Sequence, residues 1–217
     1  MAHRKVRRNQ EGMDMRRFST LIIAAFLCLF AAVAWSGDVK KGWDAYNALD
    51  YATAKTEWQE LADAGDAEAA YGMGMLYGNG FGVDMNDDMA LKYYGLAADR
   101  GHAEAQFNLA VMHQNGWGVT PDEALANEWY LKAADQGQTQ AQMALGRFYA
   151  MDFSDSYDPV RAYKWFSLAK RLGDLDASDK LDFIAGRMTA EQLAEADAQV
   201  DAWANEHKEI IANAPEY

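Results

Sequence analysis

Four glycines recur along this chain at a constant interval of 36 residues, and each follows a stretch rich in alanine. They are Gly65, Gly101, Gly137 and Gly173. A fixed period of 20 to 50 residues is typical of proteins built from stacked copies of one structural unit. A single unit of this kind cannot bury its apolar face alone, so neighbouring units share a core. The spacing therefore predicts an elongated stack of repeats, with function on its surface rather than in a catalytic cleft.

Each 36-residue unit contains two segments with the periodicity of an amphipathic helix. In the unit that begins at Gly101, Ala105 and Leu109 mark one face of the first segment. Ala126, Tyr130 and Ala134 mark one face of the second. Residues four positions apart lie on the same side of an α-helix. We therefore expect an all-α protein made of helical hairpins, in which the recurring glycine closes each second helix with a positive φ.

The repeats divide the chain into consecutive segments. We expect a signal peptide or N-terminal anchor, then a short N-terminal repeat, three full repeats and C-terminal capping helices. These segments are 1–34, 38–64, 65–100, 101–136, 137–172 and 173–217.

The start of a second helix can be predicted from capping residues. Thr120, Pro121 and Glu123 have the pattern of a capping box with proline at the first helical position, so Thr120 is the expected N-cap. In the next unit, Asp158 and Pro159 have the same pattern two residues later. We therefore expect that unit to have a longer loop and a shorter second helix.

The first 34 residues have the composition of an export signal. A basic head that includes Arg16 and Arg17 precedes an apolar run at 21–34, which ends in Ala-Val-Ala, a pattern that signal peptidase recognises. The run is shorter than the roughly 20 residues that a membrane span needs. We predict an exported protein, periplasmic or secreted. If the segment stays uncleaved, the alternative is an inner-membrane anchor with the repeats outside the cytoplasm.

Removal of residues 1–34 would leave an acidic domain without cysteine. The chain has 33 acidic and 20 basic residues, and the segment holds 2 and 6 of them, so 31 acids would remain against 14 bases. Such a charge repels nucleic acid and anionic lipid. It favours a neutral or basic protein partner, although solubility alone also explains it. Contact with a membrane is expected only if the N-terminal segment is retained.

The sequence contains no convincing catalytic, cofactor-binding or metal-binding motif. The only cysteine is Cys28, inside the apolar run, so thiol catalysis and cysteine metal sites are excluded from the exported part. The glycine-rich loops at 79–82 and 115–118 lie between two predicted helices rather than after a strand, and a tight turn explains them. We expect no cofactor and no enzymatic activity.

Two surfaces are candidate sites for a partner protein. The first is a row of loop aromatics, Phe81, Trp117 and Phe153, which also recur every 36 residues. Each ring either covers its own repeat or is exposed as an anchor. The second is a groove along the first helices, unless these side chains are simply core between repeats. Its candidate residues occupy equivalent positions in successive units: Tyr71, Phe107 and Met143, then Met75, Val111 and Arg147.

The repeated motifs resemble those of the Sel-one-like repeat family, which is related to the tetratricopeptide repeats. The unit at 101–136 carries the family pattern nearly in full, including Gly-x-Gly-Val at 116–119 and Trp-Tyr at 129–130. The unit at 137–172 lacks the Gly-x-Gly-Val loop. The resemblance covers about 38–208 and implies a right-handed α/α superhelical solenoid with a C-terminal capping helix.

The resemblance also implies a function. Exported bacterial members look like adaptors for protein complexes, and one cysteine-rich branch is linked with β-lactam binding. This chain lacks that branch's paired cysteines. We therefore expect a non-enzymatic scaffold or adaptor that binds a partner through the groove or the aromatic loop edge. The alternative is a cell-wall hydrolase, or a protein that binds peptidoglycan fragments or β-lactams.

Overall fold

The computed structural model describes residues 39–151 and 155–214, and within these ranges all regular secondary structure is helical. The predicted export segment and Phe153 lie outside the described residues. The helices are α1 (39–47), α2 (Tyr51–Ala64), α3 (Ala67–Asn79), α4 (Asp87–Ala98), α5 (Ala103–Asn115), α6 (Glu123–Asp135), α7 (Thr139–Tyr149), α8 (Pro159–Arg171), α9 (Ala177–Ala185), α10 (Ala190–Glu206) and α11 (Lys208–Ala212).

The helices pack in the order in which they occur along the chain. Each helix from α2 to α8 contacts the next one along the chain, and α10 returns to pack against α8. The pairs α3–α4, α5–α6 and α7–α8 are antiparallel hairpins joined by loops. This arrangement confirms the predicted all-α solenoid of helical hairpins.

Close approach of the two helices in a hairpin depends on a small residue opposite a ring. Tyr94 of α4 lies against Gly74 of α3, and Phe166 of α8 lies against Gly146 of α7. A Cβ atom at either glycine would come within 2.5 Å of the facing ring. Since both rings are buried, a side chain at either glycine would force the hairpin apart.

The buried core consists of two clusters that meet at α5. One cluster runs from α2 to α5 and includes Trp58 and Leu109, and the other runs from α5 to α10 and includes Ala110 and Trp203. Trp129 of α6 packs against both clusters. The helix α5 therefore belongs to two neighbouring units at once, as expected when repeats share their apolar faces.

The turns between repeats have the predicted backbone geometry. The φ angles of the four glycines are +97°, +89°, +84° and +97°, in the left-handed region that side chains with a Cβ atom disfavour. The prediction that glycine ends each second helix is confirmed for Gly65, Gly101, Gly137 and Gly173.

The predicted N-cap of α6 is wrong. The cap is Asp122, whose carboxylate accepts a hydrogen bond from the amide of Leu125 at 2.9 Å. Its own amide donates to the carbonyl of His113 at the end of α5, also at 2.9 Å. This bond ties Asp122 to the first helix of its hairpin, so Thr120 and Pro121 remain in the loop.

The third hairpin does not have the shorter second helix that the sequence predicted; its first helix is shorter instead. The amide of Asp158 donates a hydrogen bond to the carbonyl of Tyr149, just as the amide of Asp122 does to that of His113. The two N-caps are therefore equivalent, and α8 has 13 residues, as α6 does. The first helix α7 is the shorter one, with 11 residues against 13 in α5. The loop is longer, as predicted, because α7 ends early.

Candidate functional site

The first helices line two adjoining grooves. The α3–α5 groove has a volume of about 230 Å³, and the α5–α7 groove about 570 Å³. Val111 contributes to both. The six candidate groove residues are all among those that line these grooves, with Tyr71 and Met75 in the first and Phe107, Met143 and Arg147 in the second. Met143, however, is only 2% exposed and belongs to the buried core between repeats.

The α3–α5 groove combines aromatic and sulfur-containing side chains with a few polar groups. Its polar members are Asn79, Asp87 and Asn108, none of which the sequence analysis identified. Burial raises the pKa of Tyr94 in its floor, and a hydrogen bond with Asn108 opposes that shift. No helical periodicity singles out these polar residues, because they come from α3, α4 and α5 and meet only in the folded stack.

Tyr71 is held in the wall of the α3–α5 groove by His102. The two rings are stacked with their centroids 4.4 Å apart. His102 is the N-cap of α5. Its Nδ1 accepts a hydrogen bond from the amide of Ala105 at 3.3 Å, and its Nε2 lies 3.2 Å from a carboxylate oxygen of Glu68. Burial raises the pKa of Tyr71, with Glu104 adding to the shift. Nothing in the repeat spacing indicates that His102, which follows the turn glycine Gly101, positions a groove residue.

The α5–α7 groove is larger and has charges at its rim. The hydroxyl group of Tyr130 donates a hydrogen bond to the side-chain oxygen of Gln114 at 2.9 Å. Burial raises the pKa of Tyr130 to about 12, and the nearby positive charge of Arg147 opposes the shift. Asp174 and Asp176 also line this groove. The groove therefore combines one cation and two carboxylates with apolar side chains such as Phe107 and Phe148.

The two loop aromatics within the described residues have different environments. Phe81 is partly buried and stacks on Tyr51 of the preceding repeat, with ring centroids 4.9 Å apart and an interplanar angle of 12°. Trp117, its equivalent one repeat later, is 51% exposed and lines the α3–α5 groove. Trp117 is thus exposed, as one alternative had it, whereas Phe81 is covered by the preceding repeat and not by its own.

Glycine in the Gly-x-Gly loop lets the loop rest on the preceding repeat. A Cβ atom at Gly118 would lie 2.8 Å from the carbonyl carbon of Asp87, and one at Gly82 would lie 2.6 Å from the Cβ of Tyr51. Tyr51 and Asp87 are the first residues of α2 and α4. The residue beneath the loop of Phe81 is Tyr51, whose ring stacks on it. The residue beneath the loop of Trp117 is Asp87, which offers no ring, so Trp117 remains exposed.

In residues 39–151 and 155–214, no group of three or more His, Cys, Asp or Glu side chains is arranged to hold a metal ion. None of the helices in those ranges combines the length and the hydropathy needed to cross a membrane.

Comparison with known proteins identifies the repeated unit. The Sel1 repeat profile matches three consecutive segments, 67–102, 103–138 and 139–174. No curated protein matches the chain.

Two solved structures share the fold. The first is c5321, a protective antigen present in uropathogenic Escherichia coli strains that displays an SLR fold, with 29% identity and a TM-score of 0.65 over 74% of this chain and 34% of c5321. The second is a Sel1 repeat protein from Oxalobacter formigenes, with 30% identity and a TM-score of 0.63 over 66% of this chain and 57% of that protein. The chain therefore spans about a third of one relative and somewhat more than half of the other.

Proposed function

This chain belongs to the Sel1 repeat family. On that premise we propose that it is a non-enzymatic bacterial scaffold or adaptor that is itself periplasmic or secreted. Sel1 repeats in general mediate contacts between proteins. Export is supported by the basic head and the apolar run within 1–34. The partner is a neutral or basic protein, because the exported part would be strongly acidic.

The observation that carries this proposal is the placement of the six groove residues. Side chains that the sequence separates by 36 residues lie side by side along two adjoining grooves, which Val111 connects. Their lining combines aromatic and aliphatic side chains with amide and charged groups. An elongated groove of this composition suits an extended or helical segment of another protein, because apolar side chains can enter it while amides bind the main chain.

The alternative of a cell-wall hydrolase has less support. Cleavage of a glycosidic bond needs two carboxyl groups that face each other across the substrate, about 5 to 10 Å apart. Asp174 and Asp176 in the α5–α7 groove are two residues apart on the same turn. Asp174 also accepts hydrogen bonds from the amides of Asp176 and Ala177 at 3.0 and 3.1 Å, so it closes that turn.

Photo-crosslinking in living cells tests the groove as the binding surface. A photoreactive amino acid replaces Met75, Val111 or Arg147 in the groove, and Leu131, an exposed residue of α6, serves as the control. We expect the same protein to be captured from the groove positions and not from Leu131. Purified, that protein should bind the wild-type chain more tightly than a Val111→Asp variant. Equal capture from every position, or from none, would contradict the proposal.

The proposed location has its own test. The intact mass of the protein recovered from the envelope or the culture medium should correspond to a chain that lacks about 34 N-terminal residues. A full-length mass in the membrane fraction would instead favour the anchored form.

A further inference from the structure

One end of the α3–α5 groove brings an aromatic ring and a carboxylate together. Trp117 and Asp87 both line it. They lie close together because the backbone of Gly118, the residue after Trp117, packs directly against the backbone of Asp87. The Trp117 ring is 51% exposed. Met75 and Tyr71 line the same groove.

Both groups lack a partner of the opposite kind within the described part of the chain. The protein places its own basic side chains over aromatic rings at six positions there, for example Lys132 over Trp129 at 3.6 Å and Lys164 over Trp165 at 4.5 Å. Trp117 is in no such pair, and Asp87 forms no ion pair with a described residue. A cation over an indole face is favourable by about 0.5 to 2 kcal/mol.

The charge around this end also favours a cation. Among the residues that the structure describes, no lysine or arginine lines the α3–α5 groove, and the whole chain carries a net charge of −13. The N-terminus of α4 contributes a partial positive charge of about half a unit. Asp87 and Asp88, both in the first turn of α4, outweigh it with two negative charges.

We propose that this end of the α3–α5 groove binds an arginine side chain of the partner protein. The proposal rests on the proposed function and names the chemistry that the groove selects. A guanidinium group is planar, so it can stack on the Trp117 ring and at the same time donate hydrogen bonds to the Asp87 carboxylate. The groove volume of about 230 Å³ leaves room for one long side chain.

The partner residue next to this arginine is expected to be apolar. Met75 and Tyr71 line the same groove as Trp117, and a thioether beside an aromatic ring is an adaptable apolar surface. The favoured segment therefore has an aliphatic or aromatic residue adjacent to the arginine.

Binding of a small arginine compound tests the recognition without requiring the partner. The probe is N-acetyl-arginine methylamide, and the matched control is N-acetyl-citrulline methylamide, which has nearly the same shape but no charge. The readout is the indole N–H resonance of Trp117 in a ¹⁵N spectrum, assigned by its disappearance in Trp117→Phe. We expect a saturable shift with the arginine compound and at least about tenfold weaker binding of the citrulline compound. Equal shifts with both would overturn the proposal.

Two aspartates in the same helical turn provide matched variants. Asp87→Asn should weaken binding of the arginine compound about tenfold, because it removes the carboxylate that accepts the guanidinium hydrogen bonds. Asp88→Asn makes the same chemical change in the first turn of α4, but Asp88 does not line the groove, so binding should be retained. An equal loss in both variants would mean that only the general negative charge matters, and would contradict the proposed contact.

Specificity for arginine is tested with N-acetyl-lysine methylamide. A lysine ammonium group cannot stack as a plane or donate in a fork, so we expect it to bind more weakly than the arginine compound. Equal or tighter binding would overturn the assignment to arginine.

The crosslinking experiment separates this proposal from the proposed function. If groove positions capture a partner protein but the arginine compound does not bind, the arginine site is wrong while the scaffold role stands. If the arginine compound binds through Asp87 and no groove position captures a protein, the scaffold role is wrong, and with it the assignment of this arginine to a protein partner.

Discussion

Gln106 and Gln142, which lie one repeat apart, make the same hydrogen bond to the end of the preceding second helix. The side-chain amide of Gln106 donates to the carbonyl of Ala98 at 3.1 Å, and that of Gln142 donates to the carbonyl of Ala134 at 3.0 Å. Both glutamine side chains are buried. Since the last carbonyls of a helix have no partner within it, these bonds join each repeat to the next.

The two glutamines differ in what their oxygen atoms contact. The Oε1 atom of Gln106 accepts a hydrogen bond from the side chain of Gln136 at 2.8 Å. One repeat later, the residue equivalent to Gln136 is Leu172, which has no side-chain donor. The Oε1 atom of Gln142 consequently has no hydrogen-bond partner among the described residues.

Replacement of Gln136 by leucine should reproduce the Gln142 arrangement at the preceding boundary. We expect the free energy of unfolding to fall by about 1 to 3 kcal/mol, because a buried oxygen loses its partner. Urea unfolding followed by circular dichroism measures the change. In a Gln106→Met background, the same substitution should cost clearly less, since no amide oxygen remains there. Equal costs in the two backgrounds would show that the effect does not depend on this bond.

Replacement of Gly101 by alanine isolates the cost of the left-handed turn. Its φ is +89°, and an added Cβ atom would have no atom within 4 Å, so only backbone strain opposes the change. We expect a loss of about 1 to 2 kcal/mol. Gly95→Ala is the matched control, because that site is equally open but lies inside α4, where alanine is favoured by up to about 1 kcal/mol. Thermal unfolding should therefore show shifts of opposite sign.

Replacement of Gly118 by alanine should cost more than the change at Gly101. The φ angle is similar, at +68°, but the added Cβ atom would lie 2.8 Å from the backbone of Asp87. The loop must then move away from α4, and the Trp117 ring must move with it. A greater loss of stability than in Gly101→Ala, together with a shifted Trp117 indole resonance, is the expected result. An unchanged resonance would mean that the loop position does not depend on this contact.

The stability of the protein should fall at alkaline pH, in part because of Tyr130. Burial raises the pKa of this phenol to about 12 in the folded protein, whereas an unfolded tyrosine titrates near 10. Between about pH 10 and 12, the folded state therefore keeps the phenol proton while the unfolded state releases it. The contribution of Tyr130 to the free energy of unfolding is complete below about pH 10 and is lost as the pH rises through 12. Tyr130→Phe should make the decrease in unfolding free energy between pH 9 and 11 smaller. A variant with the wild-type pH slope would contradict the assignment.

The period and the helix positions could be predicted because they depend on local chemistry. A glycine with positive φ costs less than any other residue at that position, so the turns at Gly65 and Gly137 can be recognised without knowledge of their neighbours. The helix faces could be predicted for the same reason, since residues four positions apart share a side. The cap at Thr120 was predicted wrongly, because the bond between Asp122 and His113 depends on how the loop closes.

The groove was predicted only in part. Equivalent positions such as Tyr71 and Phe107 follow from the repeat, and all six lie in the groove walls. The polar groups Asp87 and Asn108 could not be assigned to the same groove, because they come from different helices and meet only when the hairpins stack. Whether residues one repeat apart share an environment also depends on their contacts, as the comparison of Phe81 with Trp117 shows.

The amino-acid sequence by itself determined the repeat length, the all-helical class, the turn glycines and the acidic character of this chain. Each of these follows from single residues or from spacing along one helix. Only the tertiary structure decided which ring is covered and which is exposed, and which buried amide is fully bonded. The physical reason is that these outcomes depend on pairs such as Phe81 with Tyr51 and Gln106 with Gln136, whose members lie about 30 residues apart and come into contact only in the stack.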